Sequence, residues 1–511
     1  MRSLADVDRA ALAERIAIVV ACLLMAAWFV AMERTIAGQW GFSLDDSWIY
    51  ATFARNVATG QGYAFNPHEP VGGATGPLYV FLLALFYLFF HTVVWPAKIF
   101  GVTCLAASGV LTREAARRLV PETRWLPLLA GLLVAISPPL VWGALSGLEQ
   151  PVYLLLACLG LYFLTRGRPT ASSLAFASGI WLRPDGVFLA FLSLWTRIGE
   201  TARKATGAVL GVAALLAAYL AFNMAVGHSP LPTSVAVKAH WSSDYVAREW
   251  SMLAQWLWLW GLSPDPSRVG PHAPLLLPAI VVGSIVGLRR WPLLPLYVFG
   301  FPAAFALFGP TGGQHGRYIA YVIPFGLCLA CVGIQWTATR IPRARTRLLV
   351  VFAAACLLWQ VGVGRMMGIT HGWNVQNINA MHRFLAEKAT RVMAPGDTIA
   401  VNDVGAMGYF SGCYVVDLVG LESPARSFPD NLRTYKPKVL VVFPEWFEGY
   451  TDVDAATQQR FFWDPDSAYK YTPFMGVKLQ NNTIASRNTM VLYERIPRDE
   501  PAIPRVRIVT H

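Results

Sequence analysis

The sequence predicts a polytopic α-helical membrane protein that ends in an α/β domain outside the membrane. Of its 511 residues, 55% are hydrophobic and only 14% are charged, whereas soluble globular proteins carry about 25% charged residues. The long apolar runs stop near residue 364, and an amphipathic helix is expected at 374–392, followed by short β-type runs such as KVLVVF. Gly405 and Gly408 resemble loop glycines, because GAMG lacks the spacing of a dinucleotide fingerprint. We therefore divide the chain into a membrane module at 1–364 and an extracytoplasmic α/β domain at 365–511.

The positions of the charged residues and of the cysteines argue against a nucleic-acid-binding protein, a disulfide framework and a metal site formed by cysteines. The formal net charge is +12, but the basic residues cluster in short loops between apolar runs, which indicates membrane sidedness and no nucleic-acid partner. Six of the seven cysteines lie inside apolar runs, and the CxxC spacing of Cys328 and Cys331 falls within one of these runs, where cysteine is an ordinary small core residue. The cysteines thus indicate neither a disulfide framework nor a metal site.

The apolar runs predict about eleven membrane crossings, since a span needs about 20 apolar residues or somewhat fewer. The single-span candidates are 16–32, 97–117, 125–146, 151–165, 205–226, 273–289, 291–308, 317–335 and 347–364. Arginines precede the first run and no small-residue cleavage site follows it, so we expect a retained anchor and not a signal peptide.

Arginine-rich loops set the expected topology. By the positive-inside rule the N-terminus is cytoplasmic, together with the loops near residues 113–124, 166–168, 197–204, 289–290 and 340–347. Both ends of 171–197 are basic, so this stretch is expected to be a hairpin of two short helices with RPDG at its outer tip. The stretch 78–95 is interpreted as an interfacial or re-entrant helix, and whether it spans the membrane stays open.

The first external loop, at 33–95, opens with two adjacent carboxylates, Asp45 and Asp46. They lie among aromatic residues at the membrane interface, where a solvated loop would be the ordinary explanation for a single acid. One carboxylate in that place can act as a general base, a role worth about 10²–10⁴-fold in rate. Neighbours on an extended segment point to opposite sides, so we expect Asp45 to be the base and Asp46 to have a different role.

Other polar residues fall on the same predicted face. Glu149 begins a helix, where an acid is also favoured by the helix dipole. Arg183 lies within an apolar hairpin, where an arginine costs about 2.5–3.5 kcal/mol on insertion scales; it either pairs with Asp185 or clamps a phosphate. His315 and Arg317 occupy a glycine-rich turn and could bind an anionic head group, although Arg317 could simply snorkel. Weaker candidates of the same kind are Lys238 and His240.

Five motifs resemble, in order, those of the GT-C polyprenyl-phosphate-dependent glycosyltransferases. They are the acidic pair followed by ARN and GYAFNPHEPVGGATGPLY, then SPPLVWGALSGLEQPVYLLL, WLRPDG, GRYIAYVIPF and NDVGAMGYFSGCYVVDLVGLESP. The form is similar to the branch of mycobacterial terminal β-arabinofuranosyltransferases, which is related to aminoarabinose and protein-mannosyl transferases. The chain departs from relatives in SWIYATF, where an additional charge is frequent, and in GGATG, where EGYTN is frequent.

The resemblance implies a site and a reaction. Sugar would pass from a polyprenyl-phosphate donor, with inversion, to a hydroxyl of a cell-envelope glycan, lipid or protein outside the bacterial inner membrane. The expected site residues are Asp45 and Asp46 for catalysis, Arg183, His315 and Arg317 for the donor phosphate, and Glu149, Tyr50 and Arg55 for substrate or acceptor. Some members of the superfamily use a divalent metal, so the resemblance also allows Mg²⁺ or Mn²⁺ as a cofactor, with Asp46 and Glu149 as its ligands.

Other functions explain less of the sequence. A transporter or lipid flippase accounts for the helices and for Arg183, but it predicts repeats and a site near the midplane, and we find neither pattern. A different lipid-linked phosphate transferase would need a Ser or Thr nucleophile beside metal ligands. A non-catalytic receptor would not need acids and cations assembled around one membrane face.

Overall fold

The computed structural model describes residues 4–197, 202–238, 245–265, 268–308, 314–340, 345–423, 426–454, 459–500 and 507–511. The chain divides into two compact units. The first unit comprises Met1–Ala31, Ala97–Ala221 and Lys238–Ile369, and the second unit comprises Met32–Pro96, Phe222–Val237 and Thr370–His511. The first external loop therefore groups with the C-terminal residues, while the boundary at residue 364 stays a prediction.

Helices dominate the chain up to residue 390. In order they are α1 (Leu4–Ala37), α2 (Asp46–Ala58), α3 (Pro77–Phe90), α4 (Val94–Leu119), α5 (Trp125–Ala135), α6 (Pro138–Leu145), α7 (Gln150–Thr165), α8 (Pro169–Ser178), α9 (Gly186–Trp195), α10 (Ala202–Gly227), α11 (Thr233–Lys238), α12 (Tyr245–Leu259), α13 (Leu276–Gly287), α14 (Leu293–Pro295), α15 (Phe301–Phe308), α16 (Ile323–Ala338), α17 (Arg345–Asn377) and α18 (Phe384–Ala389). Tight turns at Gln314–Gly316 and Ala320–Val322 precede α16.

Five helices in the described stretches are long and apolar enough to cross a membrane. They are Arg9–Ala37, Val94–Leu119, Ala205–Gly227, Gln314–Ala338 and Leu349–Ala389. A sixth span results if α5 and α6, which bend by 46° at a short break, cross together; prolines at the start of α6 lack the N–H that would continue α5. Five shorter apolar helices accompany them: Pro77–Phe90, Gln150–Thr165, Gly186–Trp195, Leu276–Gly287 and Leu293–Leu307. The count of about eleven crossings thus stays a prediction.

The hairpin predicted at 171–197 has the expected form. Helices α8 and α9 flank a break that contains Arg183 and Asp185, and a hydrogen bond of 3.1 Å joins Ser193 Oγ to Ser173 Oγ across the hairpin. The hairpin therefore places the RPDG sequence at its turn.

One helix boundary was predicted wrongly. A separate amphipathic helix was expected at 374–392, but α17 continues through a π-helical turn at Ile378–Arg383 directly into α18. No proline occurs between Arg345 and Ala394, so nothing removes a backbone hydrogen bond within the run. The helical stretch ends before Pro395 and Gly396, which cannot continue it and favour a turn.

The C-terminal part of the second unit has the predicted α/β character and carries a mixed sheet. Its strands are β1 (Thr398–Val401), β2 (Tyr414–Asp417), β3 (Val439–Val442), β4 (Thr451–Val453), β5 (Arg460–Trp463), β6 (Tyr469–Lys478), β7 (Thr489–Pro497) and β8 (Arg507–Thr510). The order is β2-β1-β3-β7-β6-β5-β4, with β8 also pairing with β6. The pairs β1–β2, β1–β3 and β6–β8 are parallel, and the others are antiparallel.

Two short helices complete this sheet: α19 (Gly405–Ser411) connects β1 to β2, and α20 (Phe428–Tyr435) precedes β3. Phe428 and Leu432 of α20 pack with Leu440, Phe462 and other buried residues of the strands into one apolar core. The parallel β1–α19–β2 crossover brings the N-terminus of α19 to the carboxyl end of β1, where ligand-binding residues of such units are usually found.

Candidate active site

Asp45 of the second unit is held by the beginning of α19. The N–H of Gly405 donates to Asp45 Oδ2 over 2.7 Å, and the N–H of Ala406 donates to Oδ1 over 2.8 Å. The residue is only 8% exposed. A Cβ atom on Gly405 would lie 2.0 Å from the backbone oxygen of Asp45, so this approach requires glycine. The acid predicted as the base is therefore fixed at both oxygens.

His382 and Asp403 face this carboxylate. His382 Nε2 lies 3.0 Å from Asp403 Oδ2, and the His382 side chain is fully buried. Burial raises the pKa of Asp45 to about 6, while the charge of His382 and the N–H bonds from Ala406 and Gly405 lower it and Asp403 raises it further. A carboxylate that titrates close to neutral pH has the proton affinity that a general base needs.

Asp45 keeps room for a further hydrogen bond. An ionised carboxylate offers about four lone-pair sites, and the backbone donors Gly405 and Ala406 use one on each oxygen. Asp46, the first residue of α2, is half-buried. The assumption of an extended segment was wrong, because Asp45 has helical backbone angles and Asp46 begins α2; the different roles of the two acids stay a prediction.

Tyr50 and Arg55, predicted to bind substrate or acceptor, have protein partners. Tyr50 Oη lies 2.8 Å from Thr75 Oγ1 within the first external loop. The Arg55 guanidinium donates to the backbone oxygens of Tyr409 (2.7 Å) and Gly408 (3.2 Å) and stacks on the Tyr409 ring at 5.0 Å. Arg55 therefore ties α2 to α19, and the substrate role of both residues stays a prediction.

The rest of the first external loop is fastened to β2. Asn66 Nδ2 donates to the Val415 oxygen and the Val415 N–H donates to Asn66 Oδ1, both over 2.9 Å. Tyr414 Oη donates to Glu69 over 2.7 Å. The loop and the C-terminal sheet form a single support for Asp45.

Arg183 of the first unit lies between two carboxylates. Its Nη1 donates to Glu149 Oε1 over 2.8 Å, while Nε and Nη2 donate to Asp185 Oδ1 and Oδ2 over 2.9 and 3.1 Å. Arg183 is 8% exposed and Glu149 is 4% exposed. The pairing with Asp185 that the sequence left open as an alternative is present, and Glu149 joins it.

Arg317 belongs to the same cluster through an aromatic ring. The guanidinium carbons of Arg183 and Arg317 lie 5.6 and 4.8 Å from the centre of the Tyr318 ring, and Arg317 Nη2 donates to Tyr318 Oη over 2.8 Å. Tyr321 offers Arg183 a second ring at 5.2 Å. The structure thus brings together Glu149, Arg183 and Arg317, which the sequence placed in three separate loops.

His315 lies in the turn before Arg317, with a left-handed backbone at φ 54°. Its ring packs at 4.8 Å on Trp142, and Gln150 Nε2 donates to the Arg317 oxygen over 3.3 Å, so the turn is attached to α6 and α7. Of the two weaker candidates, Lys238 ends α11 and His240 lies outside the described residues.

The predicted metal site has no support in the described part of the chain. No group of three or more His, Cys, Asp or Glu side chains within the described stretches is arranged to hold a metal ion. A metal held by Asp46 and Glu149 therefore stays a prediction, and no catalytic step is assigned to it.

Sequence reasoning missed His382, Asp403 and Gly405 as neighbours of Asp45. About 340 to 360 positions separate them from it along the chain, a distance that no residue periodicity bridges. The one local signal is Gly405 after β1, which was interpreted as a loop glycine without a dinucleotide fingerprint. A glycine that opens a helix directly after a parallel strand is typical of anion-contacting backbone.

Comparison with solved structures assigns the fold. ArnT from Cupriavidus metallidurans superimposes with a TM-score of 0.59 at 13% identity, covering 94% of this chain and 97% of that one. The same protein bound to undecaprenyl phosphate gives 0.57 at 13% identity over the same shares. The Archaeoglobus fulgidus oligosaccharyltransferase, solved with Zn and sulfate, gives 0.55 at 11% identity, covering 83% and 68%.

The chain shares the fold of these GT-C glycosyltransferases, which combines membrane helices with a C-terminal domain that contains a mixed sheet. At these identities the likeness concerns the fold. Residues 368–493 match a family model described as a domain of unknown function, DUF8728. No curated protein sequence matches the chain.

Proposed function

We propose that this chain is a membrane glycosyltransferase that moves a sugar from a polyprenyl phosphate to an acceptor hydroxyl outside the cytoplasm. The observation that carries the proposal is Asp45, a buried carboxylate fixed at both oxygens, whose pKa burial raises to about 6. The GT-C fold supports it, because the superimposed ArnT binds undecaprenyl phosphate and is a lipid-linked glycosyltransferase.

In the proposed reaction, Asp45 accepts the proton of the acceptor hydroxyl while that oxygen attacks the anomeric carbon. The bond between that carbon and the donor phosphate oxygen breaks, and polyprenyl phosphate leaves with the negative charge. Attack from the face opposite the phosphate inverts the anomeric centre. Asp46, next to the base, would contact the acceptor. Tyr50 and Arg55 would support the part of the first external loop that carries both acids.

Arg183 and Arg317 would receive the leaving phosphate. In the described cluster the two arginines are balanced by Glu149 and Asp185, so an entering phosphate meets no net positive charge. We propose that the phosphate displaces Glu149 from Arg183 Nη1, while Asp185 keeps the guanidinium in place through Nε and Nη2. His315, on the turn beside Arg317, would be a third donor to the phosphate.

The remaining expectations belong to the same proposal. The protein would lie in a bacterial inner membrane, with its N-terminus cytoplasmic and both the first external loop and the C-terminal domain outside. Its acceptor would be a cell-envelope glycan, lipid or protein. No proposed step uses a metal ion such as the Zn of the Archaeoglobus oligosaccharyltransferase structure.

Purified protein in nanodiscs, supplied with envelope membranes as acceptor and a panel of undecaprenyl-phosphate pentoses and hexoses labelled in the sugar, tests the proposal. We expect one donor to be consumed, with equimolar release of undecaprenyl phosphate and label in the acceptor fraction. Uniform stability of all donors over hours would refute the proposed function.

A further inference from the structure

The segment that contains His382, Asp403, Gly405 and Ala406 lies within the region matched by a family model of unknown function, residues 368–493. Resting on the proposed function, we propose that this segment is the positioning device of the base: His382 and Asp403, with the backbone of Gly405 and Ala406, fix Asp45 for proton transfer. In this role the C-terminal domain supplies part of the catalytic site.

The backbone contacts fix the direction of the carboxylate. Two N–H groups of consecutive residues bind the two oxygens separately, at 2.7 and 2.8 Å, so rotation of the side chain would break both bonds. Gly405 N and Ala406 N belong to a helix that is itself tied to α2 by Arg55 and by Trp48, whose ring lies 4.6 Å from Phe410. A general base must be held within about 0.5 Å of its productive position to accept a proton efficiently.

The charged neighbours of Asp45 make its ionisation depend on their own protonation states. His382 and Asp403 are the groups whose charges act on the Asp45 carboxylate. On the helix of His382, the adjacent Arg383 is paired with Glu387 at 2.8 Å. From the strand side, the Phe443 ring lies edge-on at 6.2 Å from His382 and carries no charge.

Within this arrangement a protonated His382, anchored by Asp403, favours the ionised form of Asp45. The anchoring matters because burial disfavours an isolated charge. Neither His382 nor Asp403 needs to touch substrate, so both act through Asp45.

Gly405→Ala tests the backbone part. The added Cβ would meet the Asp45 backbone oxygen at 2.0 Å and Oδ2 at 2.9 Å, so the carboxylate must move. The matched control is Gly449→Ala in the same unit, because Gly449 has no heavy atom within 4 Å of a Cβ and no positive φ. With the undecaprenyl-phosphate sugar panel, we expect Gly405→Ala to lower kcat at least about tenfold with an unchanged donor KM, and Gly449→Ala to keep both.

His382→Gln tests the charge part through the pH profile. Loss of a cation that favours ionised Asp45 should move the acid limb of the kcat profile upward by about one pH unit. His382→Lys, which keeps a cation, should restore the limb toward its wild-type position. A purely structural role would lower activity at every pH without moving the limb.

Two results would overturn the inference: equal kcat for the Gly405 and Gly449 variants, or an acid limb that His382→Gln leaves in place. If the wild-type protein consumes no donor, the proposed function fails, and thermal unfolding then decides the inference. The pH at which Tm stops falling through Asp45 ionisation is set by the folded-state pKa and must rise in His382→Gln; an unchanged pH would contradict the positioning role.

Discussion

Glu149 Oε1 accepts a hydrogen bond of 2.8 Å from Arg183 Nη1, and both side chains are buried in the first unit. Asp185 occupies the other edge of the same guanidinium. Breaking a buried pair leaves an uncompensated charge, which is more costly than the pair is stabilising. Arg183 therefore supports the fold of the hairpin as well as the proposed donor site, and the two roles need separate tests.

Arg183→Ala should destabilise the protein. Removal of the guanidinium leaves the carboxylates of Glu149 and Asp185 buried without a cation, which costs about 3–5 kcal/mol of unfolding free energy. Arg183→Lys keeps the charge but loses the planar fork that binds both carboxylates, so we expect a smaller loss of stability together with poor donor use. Tryptophan-monitored unfolding and donor KM measure the two effects; equal stability of the Ala variant and wild type would contradict the ion-pair account.

Glu149→Gln should strengthen phosphate binding. The substitution releases Arg183 Nη1 from an anion and leaves the cluster with an excess positive charge, so undecaprenyl phosphate should bind about tenfold more tightly, or about 1.4 kcal/mol. Glu122→Gln removes the same charge from an exposed residue of the first unit and should leave the Kd unchanged. Weaker binding in Glu149→Gln than in Glu122→Gln would show that the phosphate does not replace Glu149.

The transfer rate should rise with pH through about 6. Burial raises the pKa of Asp45 to about 6, and only the ionised carboxylate can accept the acceptor proton. A kcat profile between pH 4.5 and 8 should therefore show an acid limb near that value. A limb near pH 4, the ordinary value for an exposed aspartate, would mean that Asp45 is not the titrating base.

The folding stability should fall as the pH rises, whereas the transfer rate should increase. The pKa of Asp45 is higher in the folded than in the unfolded protein, so the folded state binds its proton more tightly. The stability that this proton contributes is present below about pH 4 and is lost as the pH rises through about 6. Asp45→Asn should remove that part of the decline, and an identical dependence of Tm on pH in both proteins would contradict burial as the cause.

Asn66→Ala should loosen the first external loop. Asn66 is buried and satisfies both the N–H and the carbonyl of Val415, and each buried backbone group left unsatisfied costs about 1–3 kcal/mol. Asn488→Ala changes an exposed residue of the same unit and should cost less than about 0.5 kcal/mol. Chemical denaturation measures both; similar midpoints for the two variants would contradict the docking of the loop on β2.

Local chemistry made part of this site predictable from the sequence. Asp45, Glu149 and Arg183 are acids and a cation at the edges of apolar runs, where a charge is expensive enough to need a reason. The α8–α9 hairpin followed from basic residues at both of its ends. The alternation of short β-type runs and helical patterns predicted the α/β character of the C-terminal domain, although not the mixed order of its sheet.

Long-range packing was beyond the same reasoning. Nothing near Asp45 in the chain indicates that Gly405 and Ala406 would bind its oxygens, because that contact depends on where the β1–α19 crossover meets the loop. His382 lay in a stretch interpreted as the face of a separate helix, and its pairing with Asp403 required the strand between them to be in place. The sequence shows that Arg183 is costly to place in an apolar hairpin. It does not show whether one carboxylate or two would balance the charge of its guanidinium.

The central claim is that Asp45 is the base of a lipid-linked glycosyl transfer, and the most direct test compares Asp45→Asn with wild type. Both proteins, in nanodiscs, receive envelope membranes and the labelled undecaprenyl-phosphate sugar that wild type consumes, and release of undecaprenyl phosphate is followed at pH 7.5. The account predicts that Asp45→Asn, still folded by its Tm, releases undecaprenyl phosphate about 10²–10⁴-fold more slowly. Release at the wild-type rate would contradict it.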